Sequence, residues 1–193
     1  MSDGAVHPAS PPDDDGLLAT VDRFDRAADA LLERVRDDPV LDRVMTVATH
    51  AGEFSAIWHL TGVTRGVLRG RPDHVIALGI GLGLESLIVN QGLKRLFRRR
   101  RPTEEGDERF EIRKPLTSSF PSGHASSAAF AATVLIGWDG KRWAPLYGSM
   151  AALVALSRPY VRIHHASDIV GGVVVGSLMG YVARRVFARL GID

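Results

Sequence analysis

Apolar and polar residues are unevenly distributed, and their pattern divides the chain into three parts. Residues 1–16 are rich in Pro, Asp, Ser and Gly, a composition that predicts a disordered tail. Residues 17–37 place apolar side chains near helical spacing, with Asp, Arg and Glu between them. This predicts an amphipathic helix that is too charged to span a bilayer and that lies on a membrane surface or against another helix. The third part, residues 38–190, contains long stretches nearly free of charge.

Five segments of the third part have the length of a membrane-spanning helix, about 17–25 residues. The second and fifth are the most apolar, the first contains His and Glu, and the third and fourth are short and rich in Ala and Ser. The segments are 41–61, 74–93, 122–138, 142–158 and 167–188. We therefore expect an all-α helical transmembrane bundle of about five spans, or six if residues 17–37 also cross.

Glycines recur at every fourth position in the two most apolar segments. Gly172, Gly176 and Gly180 lie in the last segment, and Gly79 and Gly83 lie in the second. Small residues at this spacing allow two helix backbones to approach closely in lipid. We predict that both groups of glycines are packing contacts without a chemical role.

Composition excludes some classes of function. The chain has no Cys, which excludes thiol nucleophiles, disulfides and Cys-ligated metals. Its formal net charge is +2, so the overall charge gives no argument for a nucleic-acid partner. The N-terminus lacks the basic and apolar pattern of a signal peptide, and we expect the first span to direct membrane insertion.

Three polar clusters lie at the ends of the predicted spans. They are Lys94–Pro102 after the second span, Phe120–His124 at the start of the third, and Ser157–Asp168 between the fourth and the fifth. The loop after the first cluster does not cross, the third span leaves that side, and the fourth span returns to it. All three clusters are therefore expected at one membrane face.

The side chains of these clusters fit phosphoryl transfer. Lys94, Arg101 and Arg158 supply fixed positive charge, and an Arg guanidinium binds phosphate oxygens in pairs. Ser122 and Gly123 precede a helix whose first backbone N–H groups form an anion site. The sequence therefore predicts a cationic pocket for a phosphate group.

Two imidazoles can divide the remaining chemistry. One of His124 and His164 can attack phosphorus while the other protonates the leaving oxygen. Asp168 follows His164 by one helical turn and can fix the tautomer of that ring.

Together the clusters read K-x6-RP, then PSGH, then SR-x5-H-x3-D, and they resemble the type 2 phosphatidic acid phosphatase superfamily, which also includes vanadium haloperoxidases. The resemblance implies hydrolysis without a metal or other cofactor, through a phosphohistidine. It implies that His164 is the nucleophile, His124 the acid/base and Asp168 the orienting partner of His164. The phosphate-binding residues that it implies are Lys94, Arg101, Ser122, Gly123 and Arg158.

Two features depart from the family pattern. His165 follows the expected nucleophile where the family often has an aromatic residue, so that a second imidazole is adjacent. Only two clear spans precede the first motif, where many bacterial relatives have three.

Other polar residues are expected to have supporting roles. Arg95, Arg98, Arg99 and Arg100 are interpreted as membrane anchors or as contacts for anionic lipid headgroups. Glu85 lies in the middle of a span, where a carboxylate is costly, and is expected to line a polar interior or to support the structure. Structural roles are also expected for His50, Glu53, His59 and His74.

The sequence thus predicts an integral membrane phosphoric ester hydrolase whose partners are a lipid phosphate substrate and membrane lipids, with no nucleic acid. The alternatives are a vanadium-dependent haloperoxidase-like enzyme and a non-catalytic membrane scaffold. A cytoplasmic N-terminus followed by two spans places the active site at the cytoplasmic face of the plasma membrane. The motifs bind phosphate and leave the lipid open among phosphatidate, phosphatidylglycerol phosphate and polyprenyl phosphate types. They predict no oligomeric state.

Overall fold

The computed structural model describes residues 16–103, 107, 109, 110, 112 and 117–193. Residues 1–15 of the predicted tail lie outside this part of the chain. The first three helices are α1 (Leu17–Glu33), α2 (Pro39–Ala51) and α3 (Ala56–Arg69), with a 3-10 turn at Glu53–Ser55.

The ends of these helices follow from local sequence. The carboxylate of Asp38 accepts hydrogen bonds from the backbone N–H groups of Val40 and Leu41, and Pro39 occupies the first turn of α2. Helix α3 ends at Gly70, whose φ of 63° lies in the left-handed region that glycine adopts without strain.

The remaining helices are α4 (Pro72–Leu87), α5 (Lys94–Leu96), α6 (Gly123–Asp139), α7 (Ala144–Tyr160) and α8 (Ala166–Arg189). A π-helical turn, Ile88–Leu93, joins α4 and α5 into one continuous helix, and a 3-10 turn, Lys141–Trp143, precedes α7. The described residues form helices and no strands, which confirms the all-α prediction.

Helix α6 is the centre of the bundle. A continuous run from Ala125 to Ala132 is buried, because α6 packs against α4, α7 and α8. A helix surrounded in this way is apolar on all sides, and the small Ala and Ser side chains of α6 allow its neighbours to come close. The core around it includes Trp58, Leu78, Leu82, Phe130, Leu135 and Phe187.

The glycines of α8 pack as predicted. A Cβ atom at Gly176 would lie 2.0 Å from the backbone oxygen of Ser126, and one at Gly172 would lie 2.5 Å from that of Ser122. Gly180 is similarly close to α6. No side chain fits at these positions unless the two helices move apart, so the prediction of close backbone packing is confirmed for α8.

The same prediction is wrong for α4. A Cβ atom at Gly79 or Gly83 would have no neighbour within 4 Å, whereas one at Gly81 would lie 2.7 Å from the ring of Phe130. Positions two residues apart lie on different faces of a helix. Gly81 faces α6, and Gly79 and Gly83, which are four residues apart, therefore face outward.

Within the described part of the chain, two helices are long and apolar enough to cross a membrane, Pro72–Leu96 and Ala166–Arg189. Only 28% of the most apolar part of each is buried inside the bundle. Exposed apolar side chains such as Ile80 on the first and Leu178 on the second therefore cover their outer surfaces. A core helix of a soluble protein would bury such residues, so this pattern favours a lipid environment.

The predicted first span, 41–61, is not one helix. Helix α2 ends at Ala51, and the chain turns through Phe54 and Ser55, whose φ angles are 49° and 58°. The break allows α2 to pack against α7 while α3 packs against α4. Hydropathy alone could not reveal it, because both halves are apolar.

Candidate active site

All three polar clusters lie at one end of the bundle and contact each other. The first and third clusters meet where Nη1 of Arg101 lies 3.3 Å from Nε2 of His164. The second and third meet where the backbone N–H of Ser122 donates to the backbone oxygen of Asp168, at 3.0 Å. The first and second meet at Gly123, where a Cβ atom would lie 3.7 Å from Nζ of Lys94.

The π-helical turn before Lys94 orients this residue. It adds a residue to the turn, and such turns are frequent at functional sites. Lys94 is 8% exposed, although its neighbour Arg95 is exposed. The ammonium group therefore points into the bundle, towards the start of α6.

Helix α6 begins at the second cluster. Ser122 is its N-cap residue, and its hydroxyl accepts a hydrogen bond from the backbone N–H of Ala125, at 3.4 Å. Gly172 of α8 packs directly on the backbone of this turn. The first N–H groups of α6 are thus held rigidly beside Lys94, which is the arrangement expected for binding an anion.

His164 lies in the loop between α7 and α8, which turns at Arg162 with a φ of 57°. The guanidinium of Arg101 can only donate, so Nε2 of His164 carries the lone pair and Nδ1 carries the proton. Nδ1 faces Oδ2 of Asp168 at 3.4 Å, and it has no other partner among the described residues. The tautomer with a free lone pair on Nε2 is the one that a nucleophile requires.

The surroundings of His164 keep its ring neutral. Burial lowers the pKa of His164 to about 3, the contact with Asp168 opposes this effect, and the charges of Arg101 and Arg158 add to it. The imidazole is therefore uncharged at physiological pH.

Thr49 of α2 was not singled out from the sequence, yet it connects two predicted site residues. Its backbone oxygen lies 3.2 Å from Nε2 of His124, and its hydroxyl accepts a hydrogen bond of 2.8 Å from Nη1 of Arg158. Thr49 is fully buried. No motif surrounds it, so only the packing of α2 on α7 reveals this contact.

Two of the guanidinium groups retain buried donors without partners. Within the described part of the chain, Nε of Arg101 and Nε of Arg158 lack a hydrogen-bond partner. Arg158 is 2% exposed. Buried donors are nearly always satisfied in proteins, so unpaired ones beside His164 indicate a site for an anion.

The interpretation of Arg99 as a membrane anchor is wrong. Its Nη1 donates to Oδ1 of Asp168 at 2.6 Å, and its Nη2 donates to Oδ2 of Asp25 at 2.5 Å. Asp25 belongs to α1 and also accepts hydrogen bonds from the backbone N–H and hydroxyl of Ser167, both at 2.8 Å. No pattern in the sequence indicates this pairing, because Asp25 lies 74 positions before Arg99.

His165 and Glu85 also have defined hydrogen-bond partners in the structure. His165 is the N-cap residue of α8, and its backbone N–H donates to Oδ2 of Asp168 at 2.8 Å. Glu85 is buried and accepts a hydrogen bond from the hydroxyl of Ser126 on α6. Glu85 therefore joins α4 to α6.

Clustered cations and two imidazoles at one end of a helical membrane bundle are suited to binding an anion and transferring protons to it. Comparison with known families agrees with this class of protein. The PAP2 superfamily matches residues 74–192. The chain belongs to the PAP2 superfamily, which confirms the resemblance that its motifs suggested.

The relatives are phosphoric ester hydrolases, so the prediction of an enzyme of this class is confirmed. Decaprenylphosphoryl-5-phosphoribose phosphatase of Mycobacterium tuberculosis is 30% identical over 150 residues, 74% of this chain and 81% of the relative. Phosphatidylglycerophosphatase B of Bacillus subtilis is 29% identical over 159 residues, 76% of this chain and 75% of the relative. The crystal structure of a transmembrane PAP2-type phosphatidylglycerolphosphate phosphatase from Bacillus subtilis superimposes with a TM-score of 0.68 and 26% identity, and the match covers 89% of this chain and 88% of that one.

Proposed function

We propose that this chain hydrolyses a phosphomonoester or diphosphate of a membrane lipid through a phosphohistidine on His164. The observation that carries the proposal is the convergence of the three motifs. Arg101 contacts His164, Ser122 is bonded to Asp168, and Lys94 lies beside the start of α6. In this proposal the phosphate is held by Lys94, Arg101, Ser122, Gly123 and Arg158.

The proposed reaction has two steps at phosphorus. Neutral His164 attacks through Nε2, and the N–P bond forms as the P–O bond to the lipid breaks. Protonated His124 gives its proton to the leaving oxygen. Neutral His124 then accepts a proton from water, which attacks phosphorus, breaks the N–P bond and releases phosphate. Asp168 holds the proton on Nδ1 of His164 and offsets the positive charge of the intermediate, and no metal takes part.

An apolar groove supports a lipid as the leaving group. The groove encloses about 660 Å³ between α2 and α7, and its walls include Val47, Leu153 and Val154. Its wall residue Val154 packs beside Gly52 and the ring of His124: a Cβ atom at Gly52 would lie 2.8 Å from Val154 and 2.5 Å from that ring. The groove is thus adjacent to His124, and we propose that it accommodates a hydrocarbon chain of the lipid whose oxygen His124 protonates. The named relatives suggest phosphatidylglycerol phosphate and polyprenyl-linked phosphates as first substrates to test.

We propose that five segments cross the bilayer: α2 with α3 as one broken span, α4 with α5, α6, α7 and α8. Helix α1 would be an amphipathic helix at the membrane surface, since Leu17, Leu18 and Leu31 are exposed while Asp25 is buried. Residues 38–190 would form the phosphatase domain. With the N-terminus in the cytoplasm, the active site would lie at the cytoplasmic face of the plasma membrane.

His164→Ala tests the proposed function most directly. Purified protein is incubated with phosphatidate, phosphatidylglycerol phosphate, polyprenyl phosphate and polyprenyl diphosphate in detergent, and phosphate release is measured with and without a chelator. We expect release by the wild type in both conditions, and none above background by the His164→Ala variant. The control is His165→Ala, which we expect to keep at least about a tenth of the wild-type rate. Turnover by the His164→Ala variant near that of the wild type would refute the assignment of the nucleophile.

Asp168→Asn tests the orientation of the nucleophile. The neutral amide can neither hold the proton on Nδ1 of His164 as strongly nor pair with Arg99, and we expect kcat to fall about 100-fold, as for a misplacement of catalytic groups by about 1 Å. We expect KM to change less than threefold, because the phosphate-binding cations remain. An unchanged kcat would remove Asp168 from the proposed mechanism.

A further inference from the structure

Helix α1 is attached to the site by its acidic side chains. Asp25 is 7% exposed and binds both Arg99 and Ser167 at the start of α8. One turn later, Asp29 accepts hydrogen bonds from Arg36 at 2.7 Å and from Arg162 at 3.1 Å. The polar side of α1 therefore faces the loop that carries His164.

Arg99 joins α1 to the carboxylate behind the nucleophile. One terminal nitrogen donates to Asp168 and the other to Asp25. Because a guanidinium is planar, two carboxylates bound at its two ends fix both its position and its plane. The backbone of Arg99 is also fixed, since its N–H donates to the hydroxyl of Ser118 and its oxygen accepts from the N–H of Ser119.

The two oxygens of Asp168 have separate partners. Oδ1 accepts from Arg99, while Oδ2 accepts from the hydroxyl of Ser119 and the backbone N–H of His165 and faces Nδ1 of His164. Asp168 is fully buried. Rotation of this carboxylate away from His164 would break its bond to Arg99, so Arg99 holds the plane of the carboxylate together with Ser119 and the backbone of His165.

We propose that Asp25 and Arg99 are positioning residues for catalysis, forming a chain from α1 through Asp168 to His164. This inference rests on the proposed function of His164. Arg99 is one of the six unspecified positions of the first motif, K-x6-RP, between Lys94 and Arg101. The N-terminal helix thereby contributes to the alignment of the nucleophile without contacting the substrate.

A double-mutant cycle tests the proposal in the full-length protein, with kcat, KM and Tm measured for each variant. We expect Arg99→Gln to lower kcat about 100-fold and Asp25→Asn about tenfold, with KM changed less than threefold. The double variant should be no slower than Arg99→Gln alone, because both substitutions break the same chain of contacts. The matched controls Arg98→Gln and Asp22→Asn, in exposed neighbours, should stay within twofold of the wild type.

The outcomes separate this inference from the proposed function. A wild type without phosphate release from any lipid would refute both. An active wild type that loses turnover on His164→Ala but keeps it, within twofold, on Arg99→Gln and Asp25→Asn would refute the positioning role alone. Multiplicative losses in the double variant, or a fall in Tm with kcat unchanged, would also refute it, since they indicate independent or purely structural effects.

Discussion

Two regions of this molecule are attached to the candidate active site by different kinds of contact. Helix α8 packs on α6 backbone to backbone, and Gly176 leaves no space for even a methyl group beside Ser126. Helices α1 and α2 instead contact residues of the site through polar side chains, such as Asp25 to Arg99 and Thr49 to Arg158.

The two kinds of contact have different roles: one fixes the distance between the helices of the site, and the other orients individual side chains. Backbone contacts at glycine fix the distance between the second and third motifs, because neither helix can shift without a clash. Polar side chains from α1 and α2 set the orientation of individual groups, and their loss should reduce activity without preventing folding. Substitutions in the two regions should therefore have effects of different size and kind.

Gly176→Ala should have the largest effect on stability. The added methyl group would lie 2.0 Å from the backbone oxygen of Ser126, so α6 and α8 must separate. Overpacking of this kind typically costs about 3 kcal/mol at its upper range. We expect a markedly lower Tm in detergent and little folded protein. Gly79→Ala, the same change at a position with open space, should leave Tm unchanged, and equal losses in both variants would contradict the assigned packing.

Thr49→Val should have an intermediate effect, mainly on activity, and the variant also loses the 3.0 Å contact between the hydroxyls of Thr49 and Ser157. Valine has nearly the same shape but cannot accept the hydrogen bond from Arg158, while the backbone oxygen that faces His124 remains. A hydrogen bond to a charged group contributes about 1.5–3 kcal/mol, and we expect kcat/KM to fall by at least about tenfold. The control is Thr61→Val, because the hydroxyl of Thr61 bonds only within its own helix, to Ile57. A wild-type kcat/KM in Thr49→Val would show that this contact does not orient Arg158.

Tyr160→Phe should have the smallest effect. The hydroxyl of Tyr160 lies 2.6 Å from Oδ1 of Asp42 and 3.0 Å from the backbone oxygen of Val35, and its one proton bonds to these acceptors. It thereby attaches α2 and the connection between α1 and α2 to α7. The buried ring remains in the variant, and we expect a loss of about 1 kcal/mol in the free energy of unfolding, with kcat unchanged. Tyr181→Phe, at an exposed ring, serves as the control for Tm. A large loss of kcat in Tyr160→Phe would show that α2 controls more than orientation.

The helical class and the meeting of the three motifs could be predicted from the sequence. Apolar segments of spanning length have few possible arrangements, and an odd or even number of crossings decides at which end each motif lies. Lys94, His124 and His164 therefore reach one end of the bundle as the sequence predicts. The packing of the α8 glycines could also be predicted, because α8 is one uninterrupted helix and residues four apart therefore lie on one face.

The remaining features required the tertiary structure. Three features concern which face of a helix points inward, and hydropathy does not reveal this orientation. They are the break between α2 and α3, the outward position of Gly79 and the π-helical turn before Lys94. Arg99 meets Asp168 of α8 from 69 positions away, and Thr49 meets Arg158 of α7 from 109 positions away. The sequence by itself determined which groups are available for phosphate chemistry. Only the packing of distant helices decided which polar side chains hold them in place, because a hydrogen bond depends on distance in space and not along the chain.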